Sequence, residues 1–350
     1  MAKLQTTVLA LTDYARALPK AELHVHLEGS IQPTMAASLA ARHGLRIPGS
    51  DRGPQGIEEA FVFRSFLDFL RLYITVSRCI VTVADLRDII VDLASRHAAQ
   101  GVRYAEVTFT PLTHRARGIS ADVLWSGLRE GRSEARRRHG VRMRWVFDVV
   151  RSMPQQADAT VDFAVGMNAR DPDSVVGLGV GGPEADHFEM EGIGRAFDRG
   201  RALGFKSLPH AGENAGSASL WTAVRRLHAD RIGHGVRCLE DEALVEALRH
   251  RGTPLEVCPT SNVVLGVFPS MPEHPLPALL DAGLNVTLAS DDPPMFGTDL
   301  LTEYARCIEA FGWGAAEVAA MAAASVRHSF MPSDLADAML AEQAAVPTPA

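Results

Sequence analysis

The chain reads as an α/β protein: a (β/α)8 TIM barrel with additional helices between strands one and two. Three observations predict this. Eight β-prone runs recur along the 350 residues. Segments of helical periodicity separate most of them, the alternation expected of a parallel sheet. Four polar motifs fall at the C-terminal ends of such runs, where a barrel of this kind gathers its chemistry.

The elements follow in order. The first run, 22–27, is a short apolar stretch carrying His-x-His. The next are 102–110 (VRYAEVTFT), 141–149 (VRMRWVFDV) and 175–180 (VVGLGV), then 205–210, 231–234, 254–258 (PLEVC) and 285–289 (NVTLA). Ala-, Leu- and Arg-rich segments at 85–100, 193–203 and 240–251 carry the helical period. The long connection from 28 to 101 must hold extra helices. Within it, 57–76 is rich in Phe and Leu and reads either as a lid over the barrel mouth or as ordinary core packing. No linker interrupts residues 1–340, so they are expected to form one domain. The Ala- and Pro-containing tail 341–350 is expected to be disordered.

Composition narrows the class. A net charge of −7 and an isoelectric point near 6.0 argue against nucleic acid or a membrane surface as partner. The basic cluster at 129–139 is interrupted by acids and reads as a solvated helix face. Four cysteines lie far apart with no CxxC spacing, as in a reduced cytoplasmic enzyme. The N-terminus lacks the apolar stretch of a signal peptide, and no run approaches the ~18 apolar residues of a membrane span. A cytoplasmic enzyme acting on a small molecule is the expectation.

Side chains two apart on a strand face the same way, so His24 and His26 present two imidazoles together, half of a metal site. Three further segments hold residues that a metal hydrolase needs: SLPHAGE (207–213), RIGHG (231–235) and ASDDPP (289–294). Adjacent carboxylates such as Asp291 and Asp292 repel one another unless a metal takes one of them.

The order His-x-His, His-Ala-Gly-Glu, Gly-His-Gly, Ser-Asp-Asp resembles the adenosine deaminase family of zinc-dependent aminohydrolases, from about residue 19 to about residue 310. The resemblance implies one zinc ion per chain, held by His24, His26, His210 and Asp291, with one position kept for the water that attacks the ring. It implies that Glu213 donates a proton to purine N1 and that His234 is the general base. It gives Asp292 a hydrogen bond to N7, and Gly182 a backbone N–H to N3. The H-x-E with P-C-x-x-C signature of another class of zinc deaminase is absent. None of the three lysines falls at the end of strand four, where two-metal relatives of this barrel type carry a bridging lysine.

The chain departs from the family at Glu28, where adenosine deaminases generally carry an Asp that contacts the ribose 5′-hydroxyl. Bacterial and fungal adenine deaminases often have Glu there, but usually read Ile-Asp-His-Gly where this chain has Ile232-Gly233-His234-Gly235. Three stretches, VRYAEVTFTP, PLEVCPTSN and SDDPPMFGTDLLTEY, also resemble bacterial aminodeoxyfutalosine deaminases of menaquinone synthesis, which lack that Glu. The expectation is a 6-aminopurine deaminase. With Glu28 taken to bind a sugar hydroxyl and Gly233 to leave room, its substrate is expected to be adenosine or an adenosine-like nucleoside. Adenine and aminodeoxyfutalosine are the alternatives, and a non-catalytic binding barrel is a remote one.

Overall fold

The computed structural model describes residues 2–63, 65–184 and 190–349. Eight strands follow one another around the sheet in chain order, every neighbouring pair parallel. They are β1 Lys20–His26, β2 Val102–Phe109, β3 Arg142–Val150, β4 Val175–Gly181, β5 Lys206–Ala211, β6 Ile232–His234, β7 Leu255–Val257 and β8 Val286–Leu288. A parallel bridge between Val25 and Asp291, just past β8, brings the last strand back to the first. The His26 N–H donates to Asp291 O at 2.9 Å, and the Asp291 N–H donates to His24 O at 3.0 Å. The predicted barrel is therefore observed. The last three strands are the shortest, at three residues each.

The helical segments fall where the period places them, at Val83–Ala99, Glu191–Ala202 and Glu242–Arg251. Thr82 starts the first by capping the Asp85 N–H while the Asp85 carboxylate accepts from the Thr82 N–H. The stretch 57–76 is two elements, helices Gly53–Ala60 and Phe66–Ser77, with a break between them. The second helix buries Phe69 and Leu72, and Phe69 stacks at 5.0 Å on Phe296 beyond β8. The expected disorder of 341–350 is corrected over its first half. Helix Ser333–Ala345 continues through it, because Gln343 is buried and its Nε2 donates to Pro19 O at 2.7 Å.

The glycines of β4 have a specific cause. Gly179 and Gly181 lie opposite Asp148 of β3, and a Cβ at either would collide with the Asp148 carboxylate. Gly177 lies as close to Lys206 of β5. The alternating glycines are the gap into which a buried carboxylate fits. The four cysteines are free and buried. No helix among the described residues is long and apolar enough to cross a membrane.

Candidate active site

His24 and His26 leave β1 at the mouth, His210 closes β5, His234 ends β6, and Asp291 and Asp292 follow β8. The structure brings them together. Ligand atoms of His24, His26, His210 and Asp291 all lie within 4.8 Å of one another, and all four residues are buried. Asp291 Oδ1 is 3.4 Å from His24 Nε2 and 3.3 Å from His26 Nε2, and His26 Nε2 faces His210 Nε2 at 3.1 Å. Asp291 and His234 both have φ of 62°, the left-handed region that non-glycine residues rarely occupy. That turn aims both side chains inward.

These residues fit a divalent cation. His24 Nε2 is buried without a hydrogen-bond partner. Against the cost of burial, the Asp292 and Asp291 carboxylates hold His26 up at about 9, while burial and the neighbouring His24 and His26 hold His210 well below its ordinary value. Protons thus stand in for positive charge that a metal supplies when it binds deprotonated ligands. Three imidazoles and one carboxylate are the donor set zinc prefers. Cys258 also approaches Asp291 and His234, but burial keeps it a thiol and a poor ligand.

Around the ligands lie residues that the sequence reading did not single out. His24 Nδ1 is 2.8 Å from Glu256 Oε2 of β7, and Arg231 bridges Glu256 to Glu106 of β2. A carboxylate behind a ligating imidazole fixes its tautomer and raises its basicity. Glu256→Gln should therefore weaken metal binding ~10–100-fold, read by competition with a chelating dye. Ser261 Oγ donates to Asp291 Oδ2 at 2.7 Å. Glu184, just beyond β4, accepts from the backbone N–H groups of Gly212, Glu213, Asn214 and Ala215 and from Ser219 Oγ. This single carboxylate shapes the loop that presents Glu213. Asp148 stands 4.0 Å from His210 Nδ1 with Oδ1 unpartnered, and burial pushes its carboxyl up to about 7.

Glu213 is buried beside the ligands, its Oε2 4.0 Å from His234 Nε2. Burial, with the Asp291 and Glu184 charges adding to it, pushes its carboxyl up to about 8, so it holds a proton near neutrality. His234 is read through its neighbours. The Leu276 N–H donates to His274 Nδ1, so neutral His274 carries its proton on Nε2 and gives it to Asn262 Oδ1. The Asn262 amide nitrogen then faces His234 Nδ1 at 3.3 Å, which leaves the His234 proton on Nε2. In this tautomer His234 Nε2 faces Asp291 Oδ2 at 3.9 Å and Glu213 Oε2 at 4.0 Å.

Asp292 is buried with Oδ1 unpartnered, in space that exists because Gly29 has no side chain. Gly182 lines the cavity at φ of 88°. Glu28 is a buried carboxylate with two partners on one oxygen. It is 1% exposed, and its Oε1 accepts from the Thr110 N–H at 3.0 Å and from His114 Nε2 at 3.1 Å, behind the cavity wall. Its Oε2 is buried with no hydrogen-bond partner among the described residues. Gly233 opens no room for substrate, because a Cβ there would sit 2.7 Å from His24 Cε1. Its absent side chain serves the packing of a ligand.

The cavity over these groups measures about 400 Å³. Its floor is His26, His210, Glu213, His234, Asp291 and Asp292, and one wall is the cavity-facing side of helix Phe66–Ser77. The segment thought of as lid or core is both packed and cavity-lining. A wider groove of about 820 Å³ lies outside the barrel among Arg87, Asp88, Arg129 and Glu130, with charges of both signs and none of the site residues.

The barrel has relatives among known proteins. The family model described as adenosine deaminase matches residues 19–345. An aminodeoxyfutalosine deaminase of Streptomyces avermitilis is 38% identical over 327 residues, covering 92% of this chain and 89% of the relative. The crystal structure of an adenine deaminase from Arthrobacter aurescens superposes with a TM-score of 0.88 at 31% identity, covering 94% of this chain and 99% of that one. An amidohydrolase structure from Burkholderia ambifaria, with bound Zn, has a TM-score of 0.85 at 27% identity and covers 95% and 92%.

Proposed function

The chain belongs to the adenosine deaminase family, and from that premise we propose that it hydrolyses the 6-amino group of an adenine carrying a large substituent on N9, of the aminodeoxyfutalosine kind. The cavity carries this reading. At about 400 Å³ it falls in the range of drug-sized sites, roughly 300–1,000 Å³, and its outer part is lined by Phe66, Leu70, Ile74, Met153 and Leu265. A bare purine would leave most of that apolar surface uncovered.

One zinc ion on His24, His26, His210 and Asp291 would supply a Lewis-acidic position at which water becomes nucleophilic near neutral pH. The remaining work falls to the side chains. Glu213 gives its proton to ring N1, which makes C6 electrophilic. His234, with its proton on Nε2, donates to the attacking oxygen and holds it over C6. Glu213, once ionised, is the carboxylate within reach to receive the proton that the water sheds and to pass it to the amino nitrogen. The C6–N bond then breaks with release of ammonia, and the 6-oxopurine keeps its proton on N1. Asp292 and the Gly182 N–H face the other edge of the ring, at N7 and N3. The carboxylates of Glu184 and Glu256 position Glu213 and His24 without touching substrate.

A second reading, free adenine as substrate, draws support from Glu28, whose Oε1 is already engaged by the Thr110 N–H and His114 Nε2. Adenosine itself, the first expectation from sequence, ranks behind both. The test is kcat/KM for adenine, adenosine and aminodeoxyfutalosine, followed by loss of the adenine absorbance. Aminodeoxyfutalosine should exceed the other two by at least ~10-fold, about 1.4 kcal/mol of differential transition-state binding. Adenine in first place would transfer the assignment to the second reading, and no turnover of any of the three would end both.

A further inference from the structure

Two arginines line the same cavity away from the ligand cluster. Arg78 caps the C-terminus of helix Phe66–Ser77, and Arg117 caps that of helix Pro111–Ala116. The Tyr73 ring stands 6.4 Å from that of His26, and Arg78 follows five residues later, about 7.5 Å further along the helix axis. Arg117 is held against the same turn: its Nη2 donates to Ser77 O at 3.2 Å and to His114 Nδ1 at 2.6 Å. That second bond leaves the His114 proton on Nε2, where Glu28 accepts it. Glu28 Oε1 is thus engaged by His114 and the Thr110 N–H, and the carboxylate makes no ion pair with either guanidinium.

Arg117 keeps Nε and Nη1 without a hydrogen-bond partner, and the Arg78 side chain has no hydrogen bond or ion pair among the described residues. The acids that line the cavity, Asp148, Glu213, Asp291 and Asp292, belong to the ligand end. Burial and the neighbouring Arg78 charge loosen the Arg117 proton against the pull of Glu28, and Glu28 itself does not line the cavity that the two cations share. Between the two ends lie Phe66, Leu70, Tyr73 and Ile74. The cavity is acidic and metal-binding at one end, apolar in the middle and cationic at the other.

We propose that Arg78 and Arg117 form an anion subsite that binds a carboxylate or phosphate carried on the N9 side of the 6-aminopurine. The inference rests on the deaminase reading for the orientation, since C6 at the ligand cluster turns N9 toward the opposite end of the cavity. Guanidinium suits either oxyanion through paired N–H donors, and the subsite makes charge on the substituent the basis of selection.

The test compares adenosine, adenosine 5′-carboxylate and adenosine 5′-monophosphate. The wild-type enzyme should favour one anionic nucleoside over adenosine by ~10-fold or more in kcat/KM. Arg78→Ala and Arg117→Ala should each lower that ratio ~10–100-fold, the loss of a charged hydrogen bond. The arm that responds tells carboxylate from phosphate. Arg117→Lys keeps the charge and guards against misfolding on loss of the Ser77 and His114 bonds, while Arg78 has no partner to lose. Binding of inosine and its two anionic counterparts, measured by calorimetry at low and high salt, separates the two claims. A salt-sensitive preference for the anionic ligand that Arg78→Ala removes, in an enzyme that turns over no aminopurine, would leave the subsite standing and the deaminase reading fallen. Equal ratios in wild type and both alanine variants, in turnover and in binding, would overturn the subsite.

Discussion

Replacing His24 with alanine should remove bound metal and at least ~10³ of kcat together, about 4 kcal/mol of transition-state stabilisation, while the barrel stays folded. His24 contributes the central imidazole, with its ring centroid 4.5 Å from that of His210 and 5.3 Å from that of His26. Its loss leaves three donors on three different strands, too few for a closed zinc site. The fold is spared because Glu256, which loses its His24 bond, keeps its ion pair with Arg231, and Arg231 keeps Glu106. Elemental analysis, turnover and far-ultraviolet circular dichroism on one preparation read all three quantities. Full turnover in metal-free protein would show that the cluster is not the reaction centre.

Glu213→Gln should separate chemistry from metal binding. The amide matches the carboxyl in size and occupies the same buried position but has no acid proton to give, so kcat should fall ~10²–10⁴-fold with metal content unchanged. The backbone around it has no reason to move, since the N–H groups of residues 212–215 are held by Glu184 rather than by the Glu213 side chain. Thermal stability should hold or rise, because an amide removes the strain of a carboxyl whose proton is retained up to about 8 only by burial. Near-normal turnover with a full complement of metal would mean that another group protonates the ring.

These two residues were legible because their signals are local. Alternation along β1 puts His24 and His26 on one face, and the Gly212–Glu213 pair marks a strand end. The supporting groups are a different matter. Glu256 sits inside PLEVC and Asp148 inside VFDVV, each resembling a strand core with one discordant carboxylate. What makes them intelligible is a partner far along the chain, His24 for Glu256 and the β4 glycines for Asp148. The signal was present all the same: an acid in a strand buried on both faces must have a partner. Gly233 was misread for the opposite reason. It was assigned a role toward substrate from its place in a motif, whereas the ring of His24 crowds it. A motif shows that a position matters, but it does not show on which side its neighbours lie.

The bridge between Val25 and Asp291 also bears on when the enzyme comes into being. The hydrogen bonds that close the barrel are made by the backbone of His24, His26 and Asp291, so the seam and the metal site are one object. A nascent chain on the ribosome can pair β1 with β2 early, yet it has no competent ligand set until residue 291 has emerged and returned to residue 24. Loop closure over so long a span is slow and comes late. Metal uptake is therefore a clock for the last step of folding: bound metal should appear in time with barrel closure and never ahead of it.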